Sequence, residues 1–270
     1  MSTCAALSAG EPLAGTAGRT DAFLLLEVRG AWERDALDGL DERPAAAIRA
    51  WLDATPRSKA LLIRRPDRLG DELAAFVVRA DALTARRFRL AAYDDLAGLD
   101  LSGGGEPVDR PLALVCGHGR RDACCARLGR PLYDALRDKL DPESLWLSSH
   151  VGGHRFAPNL LWLPAGLLFG RVEPGQAAEL VDELRASRLP IECLRGRTTW
   201  PPEAQAAEIA IRASGAHEVE LVSVERGRIR LATPTGEVEV TVEIETGQAL
   251  PRSCGAEPES ADRYVVTTIA

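Results

Sequence analysis

The sequence predicts an α/β (α+β) protein with two sheet-bearing units and a C-terminal helix-plus-meander extension. Three observations predict it. Short apolar runs of strand length alternate with helical periodicities through residues 1–190. A turn-rich stretch, Leu101-Ser-Gly-Gly-Gly-Glu-Pro-Val108, interrupts that order and reads as a linker. Residues 191–270 then carry one helix signal followed by alternating strand signals. A length of 270 residues suits one large domain or two modest ones. The expected division is an N-terminal α/β unit over 1–105, a second α/β unit over 106–190 and the extension over 191–270.

In the first unit, Phe23 to Val28 reads as a strand and Pro44 to Ala54 as a helix, followed by strands at Ala60 to Arg64, Ala75 to Val78 and Phe88 to Ala92. The second opens on the continuous apolar run Pro111 to Val115, which suits a buried strand and delivers Cys116 to its end. A cysteine-bearing loop follows. Pro131 is acceptable in a helix's first turn, and Leu132, Leu136 and Leu140 recur every four residues until Asp141-Pro142, which predicts a helix starting at Pro131. Leu145 to Ser149 makes the next strand, ending at His150. Leu160 to Leu163 and Leu167 to Val172 form a hairpin around Pro164-Ala-Gly166, and a further helix starts near Pro174. In the extension, Pro201-Pro202 opens a helix that Gly215 closes. Strands at Val219 to Val224, Arg228 to Leu231, Val238 to Ile244 and Tyr264 to Ile269 complete a meander.

A formal net charge of −7 disfavours a protein that binds phosphate backbones, so nucleic acid is excluded as an expected partner. The first fifteen residues show neither the basic nor the apolar region of a secretory signal. The longest apolar stretch, Asn159 to Gly170, is broken by Pro164 and Gly166 and falls short of the roughly 20 residues a membrane span needs. A cytoplasmic protein without a membrane partner is expected. In a reducing cytosol, six cysteines (Cys4, Cys116, Cys124, Cys125, Cys193, Cys254) point to metal or redox chemistry rather than disulfides.

Cys116 and Cys125 have eight residues between them, and His150 and His154 have three, among them Gly152-Gly153. All four are predicted on loops beyond strand ends, where a sheet-based fold gathers residues distant in sequence around one ligand. Thiolates and imidazoles are ligands for iron or zinc. Spacing alone leaves the two histidines equally readable as members of one surface loop, and leaves zinc as the chemical competitor. The spacings are wider than those of compact zinc motifs. Spacing also does not choose between Cys124 and Cys125. Cys124 is otherwise a small buried apolar residue. His118 reads as a loop hydrogen-bonding residue. Arg120, Arg121 and Arg155 read as a positive docking face, as solvated residues or as partners of Asp122. Cys4, Cys193 and Cys254 have no ligand spacing and read as structural or incidental.

The stretches Val115-Cys-Gly-His-Gly-Arg-Arg-Asp-Ala-Cys-Cys-Ala126 and Ser149-His-Val-Gly-Gly-His-Arg-Phe-Ala157 resemble the signature of the sucrase/ferredoxin-like family. Gly10-Glu-Pro-Leu-Ala-Gly15, Gly170-Arg-Val and Trp200-Pro-Pro-Glu-Ala-Gln-Ala206 extend the resemblance. It implies a thioredoxin-like ferredoxin domain over 106–190 carrying a 2Fe-2S cluster on Cys116, Cys125, His150 and His154. It implies Cys125 over Cys124, and iron over zinc. The N-terminal unit, without cysteine after Cys4 and without histidine, is then a cluster-free and possible second thioredoxin-like unit. Two thiolates instead of four leave the oxidised cluster formally neutral, so reduction becomes easier.

The expected function is one-electron transfer with a redox donor or acceptor protein whose identity is unknown. Alternatives are a zinc-stabilised interaction module and the sucrose-cleaving hydrolase the family name suggests. A hydrolase needs two flanking carboxylates that the sequence does not single out. No C-x-x-C redox pair, phosphate loop or dinucleotide fingerprint is present, so enzymatic activity is left open and nucleotide cofactors are not expected.

Overall fold

The computed structural model describes residues 3–66 and 70–270. After a one-turn helix α1 (Cys4–Leu7), the first half of a large sheet is built from β1 (Ala22–Glu27), α2 (Glu42–Ala54), β2 (Ser58–Arg64), β3 (Leu73–Arg79) and β4 (Thr84–Leu90). The short β5 (Glu106–Pro107) leads to β6 (Leu112–Cys116), α3 (Ala123–Leu136), β7 (Leu145–Ser148), β8 (Asn159–Leu163), β9 (Leu167–Gly170), α4 (Ala177–Arg185) and β10 (Leu194–Arg197). Among the described residues these ten strands form one sheet, in the order β10-β9-β8-β6-β7-β2-β1-β3-β4-β5.

Each half has the same connectivity. A strand-helix-strand unit makes a parallel pair, β1 with β2 and β6 with β7. An antiparallel hairpin, β3-β4 or β8-β9, then pairs on the far side of the first strand. In the second half, closed by α4, this is the thioredoxin-like order; the first half repeats the strand order and ends in a 3₁₀ turn, Tyr93–Gly98. The halves meet where β2 pairs antiparallel with β7, Ile63 opposite Ser148 and Arg64 opposite Leu147. The segment read as a linker supplies β5, whose Glu106 and Pro107 pair with Arg87 and Arg86. Proline is tolerated there because an edge strand needs hydrogen bonds on one side only.

β1 is buried along its whole length, as the apolar run Ala22 to Leu26 requires, and Glu27 at its end is buried with its carboxylate accepting the Ala74 N–H. Period two sends Leu24 and Leu26 to the face covered by α2, α3 and α4, where they join Ile48, Leu132, Leu136 and Val181. Phe23 and Leu25 face the other way, with Phe76, Leu114 and Trp146. Among the described residues no helix packs across that second face, Cys125 of α3 alone joining it from a helix; the sheet curls over it instead. Phe76 of β3 and Trp146 of β7 lie three strand positions apart, yet their rings meet edge to face at 5.7 Å. The two hairpin turns also come together, with a Cβ on Gly166 placed 3.2 Å from Ala80.

The predicted helix at Pro131 is corrected. α3 starts eight residues earlier, at Ala123, with Pro131 in its interior. Asp122 is the reason: its side chain accepts the Cys124 N–H at 2.8 Å and caps the helix, a stronger start signal than the proline. The helix near Pro174 is present, its first turn 3₁₀ and the rest α4. The extension holds α5 (Pro202–Ala213) and the strands β11 (Glu220–Glu225), β12 (Arg228–Thr233), β13 (Gly236–Thr246), β14 (Leu250–Pro251), β15 (Pro258–Glu259) and β16 (Asp262–Ile269). β11, β12, β13 and β16 form a four-stranded antiparallel sheet. Ala204, Ala207 and Ile211 of α5 pack on its Ile229, Leu231, Val240 and Val242. The small β14-β15 hairpin, unpredicted, returns toward α1. β10 was also not predicted, because Leu194-Arg-Gly-Arg197 lacks an apolar run.

Candidate metal centre

β6 and β7 run parallel, with Cys116 opposite Ser148, so their carboxyl ends deliver Cys116 and the loop beginning at His150 to one edge. Cys116 is the last residue of β6 and is buried. α3 returns directly over it, and Gly129 makes the approach possible: a Cβ there would lie 2.1 Å from the Cys116 carbonyl oxygen. The expectation that all four residues lie on loops is therefore corrected for two of them. Cys116 ends a strand and Cys125 lies in the first turn of α3. Successive helical residues are about 100° apart around the axis, so Cys124 and Cys125 face different neighbours.

The His150–His154 loop needs both of its glycines. Gly152 and Gly153 hold φ of +115° and +68°, which side-chain-bearing residues rarely adopt. A Cβ on Gly153 would also sit 2.5 Å from the Arg195 guanidinium. Arg195, on β10, is buried beneath the loop. Its Nη1 donates to the Gly152 carbonyl and to Asn159 Oδ1, each at 2.9 Å, while its Nε donates to Thr16 Oγ1 at 3.0 Å. Lys59 Nζ donates to the Val151 carbonyl at 2.8 Å from the other half of the sheet. Burial pushes the Lys59 ammonium down to about 8, against the pull of Cys116.

Cys116, Cys125 and His150 come together, with His150 Nδ1 3.9 Å from Cys116 Sγ and 3.8 Å from Cys125 Sγ. The Cys125 thiol and the His150 imidazole draw Cys116 well below the ordinary thiol range, despite burial. The same pairing, with burial, pushes Cys125 up. The His154 ring lies 4.8 Å from that of His150, centroid to centroid, and is tilted by 37°. Burial, then the neighbouring His150, lowers His154. His154 Nδ1 is buried with no hydrogen-bond partner among the described residues, and Nε2 is 3.8 Å from Asp122 Oδ2. Both cysteines are buried, whereas both imidazoles are partly exposed.

Two soft thiols, two imidazoles and an unpartnered imidazole nitrogen fit the donor set of a 2Fe-2S cluster with mixed ligands. Behind them is a second group. Cys4, Cys124, Cys254 and Asp122 have ligand atoms all within 4.8 Å of one another.

The profile of a family described as sucrase/ferredoxin-like matches residues 13–196, well over half of the chain. The chain belongs to the sucrase/ferredoxin-like family. Among curated proteins it is 36% identical over 106 residues to "Altered inheritance of mitochondria protein 32" of Eremothecium gossypii, a match covering 34% of this chain and 34% of that protein. The protein of the same name in Saccharomyces cerevisiae is 37% identical over 105 residues, again covering 34% of each chain. The matched region thus spans about a third of these curated relatives. Among solved structures, the thioredoxin-like 2Fe-2S ferredoxin of Aquifex aeolicus is 20% identical, with a TM-score of 0.28, covering 32% of this chain and 91% of that one. A serine-for-cysteine variant of that ferredoxin matches with a TM-score of 0.28, covering 32% of this chain and 97% of that one.

In this sucrase/ferredoxin-like protein, several residues around the site were not legible as such. Cys4 and Cys254 meet Cys124, which spacings of over a hundred residues could not signal. Asp122 did carry a signal, an N-cap residue ahead of a helix, but the leucine repeat after Pro131 obscured it. It binds the Cys124 and Cys254 N–H groups and is not the partner of an arginine among the described residues. Arg155 instead forms two 2.7 Å bonds to Glu11, and Arg120 pairs with Glu33. His118 fills its expected role, with Nε2 2.7 Å from the Glu33 carbonyl. No sequence signal marked Arg195 or Lys59.

Proposed function

We propose that this chain holds a 2Fe-2S cluster through Cys116, Cys125, His150 and His154 and exchanges single electrons with a redox partner protein. When bound, the cluster supplies the one-electron couple. One observation supports the reading: the Cys116 and Cys125 thiols and the His150 imidazole come together at the ends of β6 and β7, and the ring of His154, outside that group, lies 4.8 Å from the His150 ring with its Nδ1 buried and unpartnered among the described residues. The buried thiols keep water from one side of the site. The imidazole edge is the side a partner protein can approach, and each ring keeps a second nitrogen that can titrate or bond. Residues 106–190 act as the cluster-bearing unit and 1–105 as its cluster-free neighbour. The location is cytoplasmic, a reducing setting that the free thiols favour. No helix among the described residues is long and apolar enough to cross a membrane.

Protein purified without oxygen is expected to be coloured, to contain iron and acid-labile sulfide in equal amounts and to give a 2Fe-2S signal by low-temperature EPR on reduction. A colourless protein with zinc at these residues would overturn the reading. So would release of glucose from sucrose by protein free of iron. His154→Cys is expected to retain the signal at a lower midpoint potential, because a neutral ligand becomes an anion. His154→Ala is expected to lose colour on standing.

A further inference from the structure

We propose that Cys4, Cys124, Cys254 and Asp122 form a second metal site, for a single tetrahedral cation of the Zn2+ class, which clasps α1 and the β14–β15 connection onto the helix that carries Cys125. The three sulfurs make a nearly equilateral triangle: Cys4 to Cys124 is 3.6 Å, Cys124 to Cys254 is 3.4 Å and Cys254 to Cys4 is 3.6 Å. Asp122 Oδ1 caps it, 3.7 Å from Cys4 Sγ and 3.4 Å from Cys254 Sγ. A tetrahedral ion with metal–sulfur bonds of about 2.3 Å and a metal–oxygen bond of about 2.0 Å has sulfur–sulfur edges of about 3.8 Å and sulfur–oxygen edges of about 3.5 Å. The observed edges match those of one small ion. A disulfide would join two sulfurs at about 2.05 Å and strand the third.

The donor chemistry agrees with the geometry. Three thiolates and a carboxylate select a soft or borderline cation such as Zn2+ over Mg2+ or Ca2+. The carboxylate is held before any ion arrives, because Oδ1 accepts the Cys124 N–H at 2.8 Å and Oδ2 the Cys254 N–H at 2.7 Å. The helix terminus at Asp122 favours the excess negative charge of such a ligand set. Cys4 and Cys124 are buried while Cys254 is exposed, which leaves an entry path on one side. The ligands come from α1, the first turn of α3 and the connection between β14 and β15, so one ion ties three distant segments together. The site shares no residue with the Cys116, Cys125 and His150 group, although its Asp122 Oδ2 lies 3.8 Å from His154 Nε2.

The test uses the full-length chain as purified, with zinc as the probe. After zinc addition and a wash with a weak chelator, elemental analysis is expected to show one zinc per chain beyond whatever metal Cys116 holds. Cobalt in its place is expected to show the intense visible bands of a tetrahedral thiolate site. Cys254→Ser should lose this zinc and keep the iron; Cys116→Ser should lose the iron and keep this zinc. Alkylation of the unaltered protein, read by peptide mass, should find Cys4, Cys124 and Cys254 protected by zinc and exposed by a strong chelator. Zinc that survives Cys254→Ser, or that leaves only with Cys116→Ser, overturns the proposal. Equal alkylation with and without zinc overturns it even if the variants do not fold, as does a disulfide within the trio that excludes zinc.

Discussion

Gly153 is held by two constraints at once, its left-handed φ and the guanidinium against the place a Cβ would occupy. An L side chain in that conformation costs about 1–2 kcal/mol before any clash. Gly153→Ala is therefore expected to lower the thermal unfolding midpoint and reduce iron content, both read on one preparation. Arg195 is the other half of the contact. Arg195→Met leaves the Gly152 carbonyl, Asn159 Oδ1 and Thr16 Oγ1 without their donor in a buried setting, at about 1–3 kcal/mol for each group left unsatisfied. The variant should unfold at lower urea and bleach faster in air. Bleaching at the unaltered rate would remove Arg195 from the support of the loop.

At the scale of elements, the contact of α3 with the end of β6 sets the site, and Gly129 is where it can be tested. In an exposed helix, replacing glycine by alanine stabilises by about 1 kcal/mol. Here the new Cβ would lie 2.1 Å from the Cys116 carbonyl oxygen, so the sign should reverse. Gly129→Ala is expected to destabilise by about 1–3 kcal/mol, the range for an overpacked core, and to displace Cys125 from Cys116. Urea unfolding gives the first result and EPR line shape the second. A stabilised variant would mean that α3 does not press on the strand.

For the whole molecule, burial sets how stability depends on pH. Burial holds His118 below the ordinary histidine range despite its bond to the Glu33 carbonyl, so the folded chain keeps it neutral while an unfolded chain protonates near pH 6.5. Below that pH the unfolded state binds the extra proton, so stability falls as pH drops through the window under 6.5. Asp122 adds a second loss at lower pH. Its carboxyl is held below the carboxylate range by the Cys254 and Cys124 N–H groups, which outweigh burial. The urea midpoint is expected to decline from pH 7.5 to pH 5.5. In His118→Gln, which can still donate to Glu33 but cannot titrate, that segment should become shallower, the remaining slope coming from His154, which burial also holds low.

Much of this architecture was legible because local neighbours encode it. The run at Phe23 to Val28 announced a strand, the continuous run at Pro111 to Val115 announced a buried one, and Pro164-Ala-Gly166 announced the turn of a hairpin. Cys116 and His150 were legible as neighbours as well, because they lie at or just beyond the ends of strands that the apolar runs mark, whereas Cys125 lies in the first turn of α3 and was expected only from the family resemblance. By itself the sequence determined the α/β class and most of the strands and helices of both halves. Tertiary structure alone decided that the two halves share one sheet through β2 and β7 and that this sheet curls over its helix-free face. It also decided that Arg195 lies under the histidine loop and that Cys4 and Cys254 reach Cys124. The physical reason is range. Periodicity and capping act within a few residues, whereas those meetings depend on strand order and closure, which no local stretch of chain specifies.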